Sequence, residues 1–376
     1  MPKKDWMIKD SELDDDQLLF MDAMLDKSCI VSGCAGSGKS VLALHKALQI
    51  QAQKGENYRV IVFTKALCHY MNAGRVQLGL KKAFSYYEEW RWKKELKHYA
   101  NGAVYPVYSK DSKGKKIPFM PSADYVIVDE IQDFTKDEVL EFVAAAKKNF
   151  FFFGDTAQSV YEGIKTTLPV AGIPGVLPPD LKVATFSLYR NHRLPLPVAR
   201  VVQYVGVDLG PFVELSYKST EREKPYFLSY PTRTNQLEAI HQRIQEKNLT
   251  DAAILLPDNK LVEEVYDFLR ERGNYEVRYT DKKDFRNSED NLDFSSENPK
   301  IMTYHSAKGL QFGDVFIPYA ESFDGSKVDK RKELYVAMTR TYRNLYLLYS
   351  GELTSLLATI PSNLCRASLK KIVQDM

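Results

Sequence analysis

Gly33-Cys34-Ala35-Gly36-Ser37-Gly38-Lys39-Ser40 follows the pattern GxxxxGK[ST], which combines the residue types that a polyphosphate requires. Gly33, Gly36 and Gly38 leave the backbone free to wrap its N–H groups, that of Ser37 included, around phosphate oxygens. Lys39 can reach the β- and γ-phosphates, and the Ser40 hydroxyl can ligate Mg²⁺. Such a loop needs a strand before it and a helix after it. Both are legible: Cys29–Ser32 is an apolar run, and Val41, Leu44, Ala47 and Leu48 recur at helical spacing. A plain glycine turn would require neither the context nor the lysine. The expectation is a nucleoside triphosphate site with Mg²⁺.

A second candidate is Tyr125-Val126-Ile127-Val128-Asp129-Glu130, an apolar strand ending in paired carboxylates. A strand-end Asp that follows a phosphate loop is placed to hold Mg²⁺ together with the loop hydroxyl, so Ser40 and Asp129 are the expected metal ligands. Glu130 is then free to polarise an attacking water. A kinase has no use for that second carboxylate, whereas a hydrolase does.

The elements that must position these groups are strands alternating with helical patterns, which predicts α/β with parallel sheets. Arg59–Phe63, Tyr125–Val128 and Phe150–Phe153 read as further buried strands of a first series. A second series begins near Ala184, with strands at Tyr226–Tyr230, Ala252–Leu256, Lys300–Thr303, Val315–Pro318 and Leu345–Tyr349. Its helices are expected over Asn235–Glu246 and Asn259–Arg272, and Thr280–Pro299 reads as a polar loop. With 376 residues, 44% hydrophobic and 27% charged, the chain is neither disordered nor fibrous. The four cysteines, Cys29, Cys34, Cys68 and Cys365, form no CxxC pair and predict reduced thiols. No apolar run approaches a membrane span, and the first residues lack the apolar stretch of a signal peptide, so a cytoplasmic location is expected.

Net charge is +3, but Arg75–Met120 alone holds 11 Lys or Arg against four Asp or Glu, leaving the remainder at −4. The same window contains Trp90 and Trp92 beside Lys93 and Lys94. Basic side chains interleaved with aromatics suit a nucleic acid, neutralising phosphates and stacking on bases. A solvated helix face would have the same composition.

Taken in order, Lys39-Ser40, DEIQD at 129–133, GDTAQSVY at 154–161, NHR at 191–193, MTYHSAKGLQF at 302–312 and YVAMTR at 335–340 resemble the motifs of UvrD/Rep-like superfamily 1 helicases. The resemblance implies two RecA-like domains with ATP in the cleft between them: 1–190, interrupted by a small basic insertion over 75–122, and 191–376. It implies that Gln17, 22 positions before Lys39, reads adenine and that His192 stacks on it. Gln158 would sense the γ-phosphate, and Arg193 and Arg340 would neutralise its charge in the transition state. Phe63, Thr64, Tyr161, Thr303 and His305 would meet single-stranded DNA, with RNA left open, and movement would run 3′→5′.

Two departures qualify this picture. Gly163 stands where the family has a stacking tryptophan, and Gln311 where it has a glutamate. The short span from Arg193 to Lys300 also leaves no room for the family's large accessory domain. The expectation is therefore a minimal ATP-driven translocase that unwinds weakly alone. The alternative is a nucleic-acid-sensing ATPase subunit that switches a partner such as a nuclease.

Overall fold

A computed structural model describes residues 12–55, 57–87, 122–155, 166–207, 209, 211–280 and 288–368, together with four short strands between 96 and 118. The chain divides into two compact units, one of residues 2–34 and 38–189, the other of 35–37 and 190–376.

In the first unit, helix α1 (Asp15–Asp22) precedes β1 (Ser28–Gly33), α2 (Lys39–Lys54), β2 (Tyr58–Val62), α3 (Lys65–Gln77) and β3 (Ser85–Tyr86). Two small antiparallel hairpins follow, β4 (Leu96–His98) with β5 (Val104–Pro106), and β6 (Tyr108–Lys110) with β7 (Lys116–Pro118). Then come β8 (Ala123–Val128), α4 (Lys136–Ala145), β9 (Ala146–Gly154) and β10 (Val183–Leu188). Six of these strands form one sheet in the order β10-β1-β9-β8-β2-β3, with every pairing parallel. Parallel strands covered on both faces must be apolar on both. Phe150–Phe153 and Tyr125–Val128 meet that demand, each being at most 4% exposed. This order brings the carboxyl ends of β1, β9 and β8 side by side, the edge at which open α/β sheets bind ligands.

The second unit carries β11 (Tyr226–Tyr230), β12 (Ala252–Leu256), β13 (Glu276–Tyr279), β14 (Glu289–Asp290), β15 (Lys300–Thr303), β16 (Phe312–Ile317) and β17 (Thr341–Ser350). They form a seven-stranded sheet ordered β11-β17-β16-β12-β15-β13-β14. Its pairings are parallel except that of β13 with β14. Helices Arg233–Glu246 and Asn259–Arg270 pack Leu237, Ile240, Val262 and Val265 against it. The architecture is thus α/β with two largely parallel sheets, consistent with two RecA-like domains.

The stretch 280–299 is not purely a loop, because Glu289–Asp290 pairs with Arg278–Tyr279. The strand β13 is buried through an apolar alternation, Tyr275, Val277 and Tyr279, whose side chains join the core. Between them, Glu276 lies opposite Lys300 in register and pairs with it at 3.0 Å. A cross-strand ion pair of this kind has no local sequence signal.

Candidate nucleotide site

Gly36 and Gly38 have φ of +78° and +86°, the left-handed conformation that turns β1 into α2 and that residues bearing a Cβ adopt only under strain. A Cβ on Gly38 would stand 2.8 Å from Gln17 Nε2, so the carboxamide of α1 lies directly over the loop. Gln17 is held there by a capping box with Asp14, each side chain accepting the other's backbone N–H at 3.0 Å.

Lys39 is buried, and its Nζ donates to the carbonyls of Gly33 (2.7 Å) and Cys34 (2.9 Å), with Asp155 at 3.9 Å. Ser40 donates to Asp129 Oδ2 at 2.6 Å. Asp129 is completely buried. Burial first, and then the Glu130 carboxylate beside it, push its pKa up to about 7, while Ser40 and Lys39 pull the other way. A hydroxyl and a carboxylate in contact form the hard-oxygen donor pair that suits Mg²⁺. Among the described residues no three His, Cys, Asp or Glu side chains gather into a cluster.

Glu130 has φ 56° and ψ 42°. A left-handed non-glycine residue costs about 1–3 kcal/mol. An extended strand would send successive side chains to opposite faces, so this sharp turn is what changes the direction of the chain after Asp129. Gln132, fully buried, donates from Nε2 to the Glu130 carboxylate and accepts the Asp155 N–H at 2.9 Å on Oε1.

In the other unit, Asn191 Nδ2 donates to Ala35 O at 2.5 Å and His192 N to Gly36 O at 2.9 Å. A Cβ on Gly36 would come within 2.9 Å of Arg193 Cβ, so Arg193 lies against the tip of the phosphate loop. Arg193 and Arg340 converge on Thr339. Arg193 Nη1 is 3.4 Å from its carbonyl, and Arg340 Nη2 is 3.0 Å from its hydroxyl. Arg340 is buried and also donates from Nε to Val336 O at 2.8 Å. The His192 side chain is exposed.

The residues expected to meet a nucleic acid are more scattered. Phe63 packs edge-on against Phe134 at 5.1 Å. Thr64 caps α3, its hydroxyl accepting Leu67 N–H at 3.1 Å and keeping its own proton to donate. Thr303 is buried and bonded to Ser306. The His305 side chain reaches solvent, although the surrounding protein and the charges of Lys308 and Arg278 hold its pKa below the usual value. Trp90, Trp92, Lys93, Lys94, Gln158 and Tyr161 lie outside the described residues. Sequence reasoning missed Asn191, Gln132 and Lys46. The first two stand inside motifs that were recognised, and Lys46 had a signal of its own, a basic residue in line with apolar Leu42 and Ile50.

The AAA domain model matches residues 17–164, and the UvrD-like helicase C-terminal domain model matches residues 300–348. A solved structure, the C-terminal domain of a possible DNA helicase from Lactobacillus plantarum WCFS1, is similar over 47% of this chain and 98% of its own. The identity is 19% and the TM-score 0.37. No curated protein matches. Among the described residues no helix is long and apolar enough to cross a membrane.

Proposed function

The chain belongs to the UvrD-like helicases, and from that premise we propose that it is an ATP-driven translocase on single-stranded DNA. The observation that carries the reading is the meeting of Ser40 with Asp129, 2.6 Å apart, at the edge where Lys39 and Glu130 also stand. Phosphate grip, metal ligands and a candidate base thereby share the carboxyl ends of β1 and β8, the strands on either side of β9.

In this reading Gln17 reads the adenine edge and His192 stacks on the ring. Gly33, Gly36, Ser37 and Gly38 shape the cradle for the phosphates, and Lys39 supplies the point charge. Ser40 and Asp129 would hold Mg²⁺, which when bound neutralises phosphate charge. The Glu130 carboxylate orients water and accepts its proton, while Gln158 bonds the γ-phosphate. Arg193 and Arg340 neutralise charge as it develops in the transition state. The domains are 1–190, with 75–122 as a basic insertion, and 191–376. Phe63, Thr64, Trp90, Trp92, Lys93, Lys94, Tyr161, Thr303 and His305 form the nucleic-acid surface. Movement is 3′→5′, and with Gly163 in place of a stacking tryptophan the chain grips its strand weakly and unwinds poorly alone.

The test is ATP hydrolysis with single-stranded DNA, duplex DNA, RNA or no nucleic acid, alongside strand displacement on a 3′-tailed duplex. Stimulation by single strands with little displacement is the expected result. Turnover indifferent to DNA would overturn the translocase reading in favour of a switch acting on a partner such as a nuclease.

A further inference from the structure

Gln132 takes no part in holding nucleotide in the reading above, yet it is fully buried at the centre of the carboxylate edge. The Asp155 backbone N–H can only donate, so the end of the Gln132 carboxamide that it meets at 2.9 Å must be the oxygen. That leaves the NH₂ group facing the Glu130 carboxylate, with which it is hydrogen-bonded. The orientation of the amide is therefore set by chemistry. Close approach of β9 makes the bridge possible. A Cβ on Gly154 would lie 2.7 Å from Gln132 Oε1 and 2.7 Å from Ile131 Cγ2, so only glycine lets the strand end come this near. Glu130 meanwhile sits on a left-handed backbone that turns sharply at the end of β8.

We propose that Gln132 is a positioning residue that clamps the Glu130 carboxylate in its water-orienting direction by tying it to the backbone of Asp155 at the end of β9. The inference rests on the role given to Glu130 above. Hydrogen bonding to Nε2 leaves that carboxylate fewer orientations, and a base must be aimed before it can act. The same amide fixes the point where the chain enters 156–165, the segment holding Gln158 and Tyr161.

Two variants separate the contacts. Gln132→Glu keeps an oxygen for Asp155 N–H and removes the donor to Glu130 wherever both carboxyls are ionised; because the buried pair can share a proton at lower pH, its kcat is read across pH and the alkaline limb decides. Gln132→Met keeps the volume and removes both. Each is expected to lower kcat by about 10–100-fold, the factor that a hydrogen bond to a charged group carries. Affinity for MgATP, read by displacement of a fluorescent ATP analogue, should stay within about threefold of the native chain, since tenfold corresponds to one whole interaction of this kind. A purely structural role predicts instead that Gln132→Glu is mild, and that loss of kcat tracks loss of affinity and of melting temperature. Should the methionine variant fail to fold, the glutamate variant, of the same shape, decides. Native kcat in Gln132→Glu, or an equal loss of affinity, overturns the inference. Glu130→Gln, run beside them, distinguishes the two possible failures. If it turns over normally, the proposed role of Glu130 falls and the clamp falls with it. If it is inactive while the Gln132 variants run at the native kcat, only the clamp falls.

Discussion

Lys46 offers a quantitative test of how α1, the helix that carries Gln17, is held. Its side chain is fully buried in line with Leu42 and Ile50 on α2. Its Nζ donates to the carbonyls of Phe20 (3.2 Å), Met21 (3.4 Å) and Ala23 (3.2 Å) and to Gln49 Oε1 (2.9 Å). It also lies 4.5 Å from the centre of the Phe20 ring. Phe20 and Met21 belong to the last turn of α1 and Ala23 is its C-cap, so Lys46 holds the end of a helix that at eight residues is too short to persist alone. Burial lowers the Lys46 pKa from 10.5 to about 8, with Cys29 and Asp22 opposing. The folded chain thus releases this proton at lower pH than the unfolded chain. A penalty for carrying the charge is fully present below pH 8 and vanishes above 10.5. As pH rises through that window the unfolded state holds more protons and stability must increase. The full span is about 3 kcal/mol, and about 2 kcal/mol of it falls between pH 7.5 and 10. Urea denaturation of the native chain and of Lys46→Met at both pH values isolates the contribution, because other titrating groups cancel in the difference. The native chain should gain about 2 kcal/mol on the variant as pH rises. A flat or shrinking difference would refute the reasoning. Lys46→Met should also raise KM for ATP several-fold at unchanged kcat, because the helix positions Gln17 over Gly38.

The remaining predictions concern the chemistry and the strand. Lys39→Ala should abolish hydrolysis and weaken ATP binding, whereas Glu130→Gln should keep MgATP bound and lose roughly 10²–10⁴ in turnover; equal loss of affinity in both would remove the roles assigned. Arg193→Ala and Arg340→Ala should each slow turnover by roughly 10³–10⁵, with a smaller effect on ATP affinity. A native rate in either variant would show that its arginine does not stabilise the γ-phosphate charge. Charge reversal at Lys93 and Lys94 should weaken DNA binding and flatten its dependence on salt while leaving DNA-free hydrolysis intact. An unchanged salt slope would assign the 75–120 window to a solvated face.

What was legible in the sequence is what local chemistry dictates. Apolar runs such as Phe150–Phe153 and Ala252–Leu256 announce buried parallel strands, because few other elements bury so many consecutive side chains. The Gly36–Ser40 spacing announces a phosphate cradle, because its glycines alone accept the required φ. What stayed hidden depends on partners distant in the chain. The strand Glu276–Tyr279 is short and half charged, and only Lys300 across the sheet explains why Glu276 can be buried in it. Lys46 would be assigned to solvent but for the carbonyls of a helix more than 20 positions away. Gln132 is a further case of the same kind. Its motif can be recognised, but the reason for an amide at that position appears only when β9 brings the Asp155 N–H within reach on one side while Glu130 turns back on the other. An ionised carboxylate there would have no proton to share with Glu130, and a hydrocarbon would leave the Asp155 N–H without its acceptor. Of the common side chains that could lie between those two groups, an amide of this length meets both demands without adding charge. The residue type at position 132 is therefore fixed by two contacts that no local pattern contains.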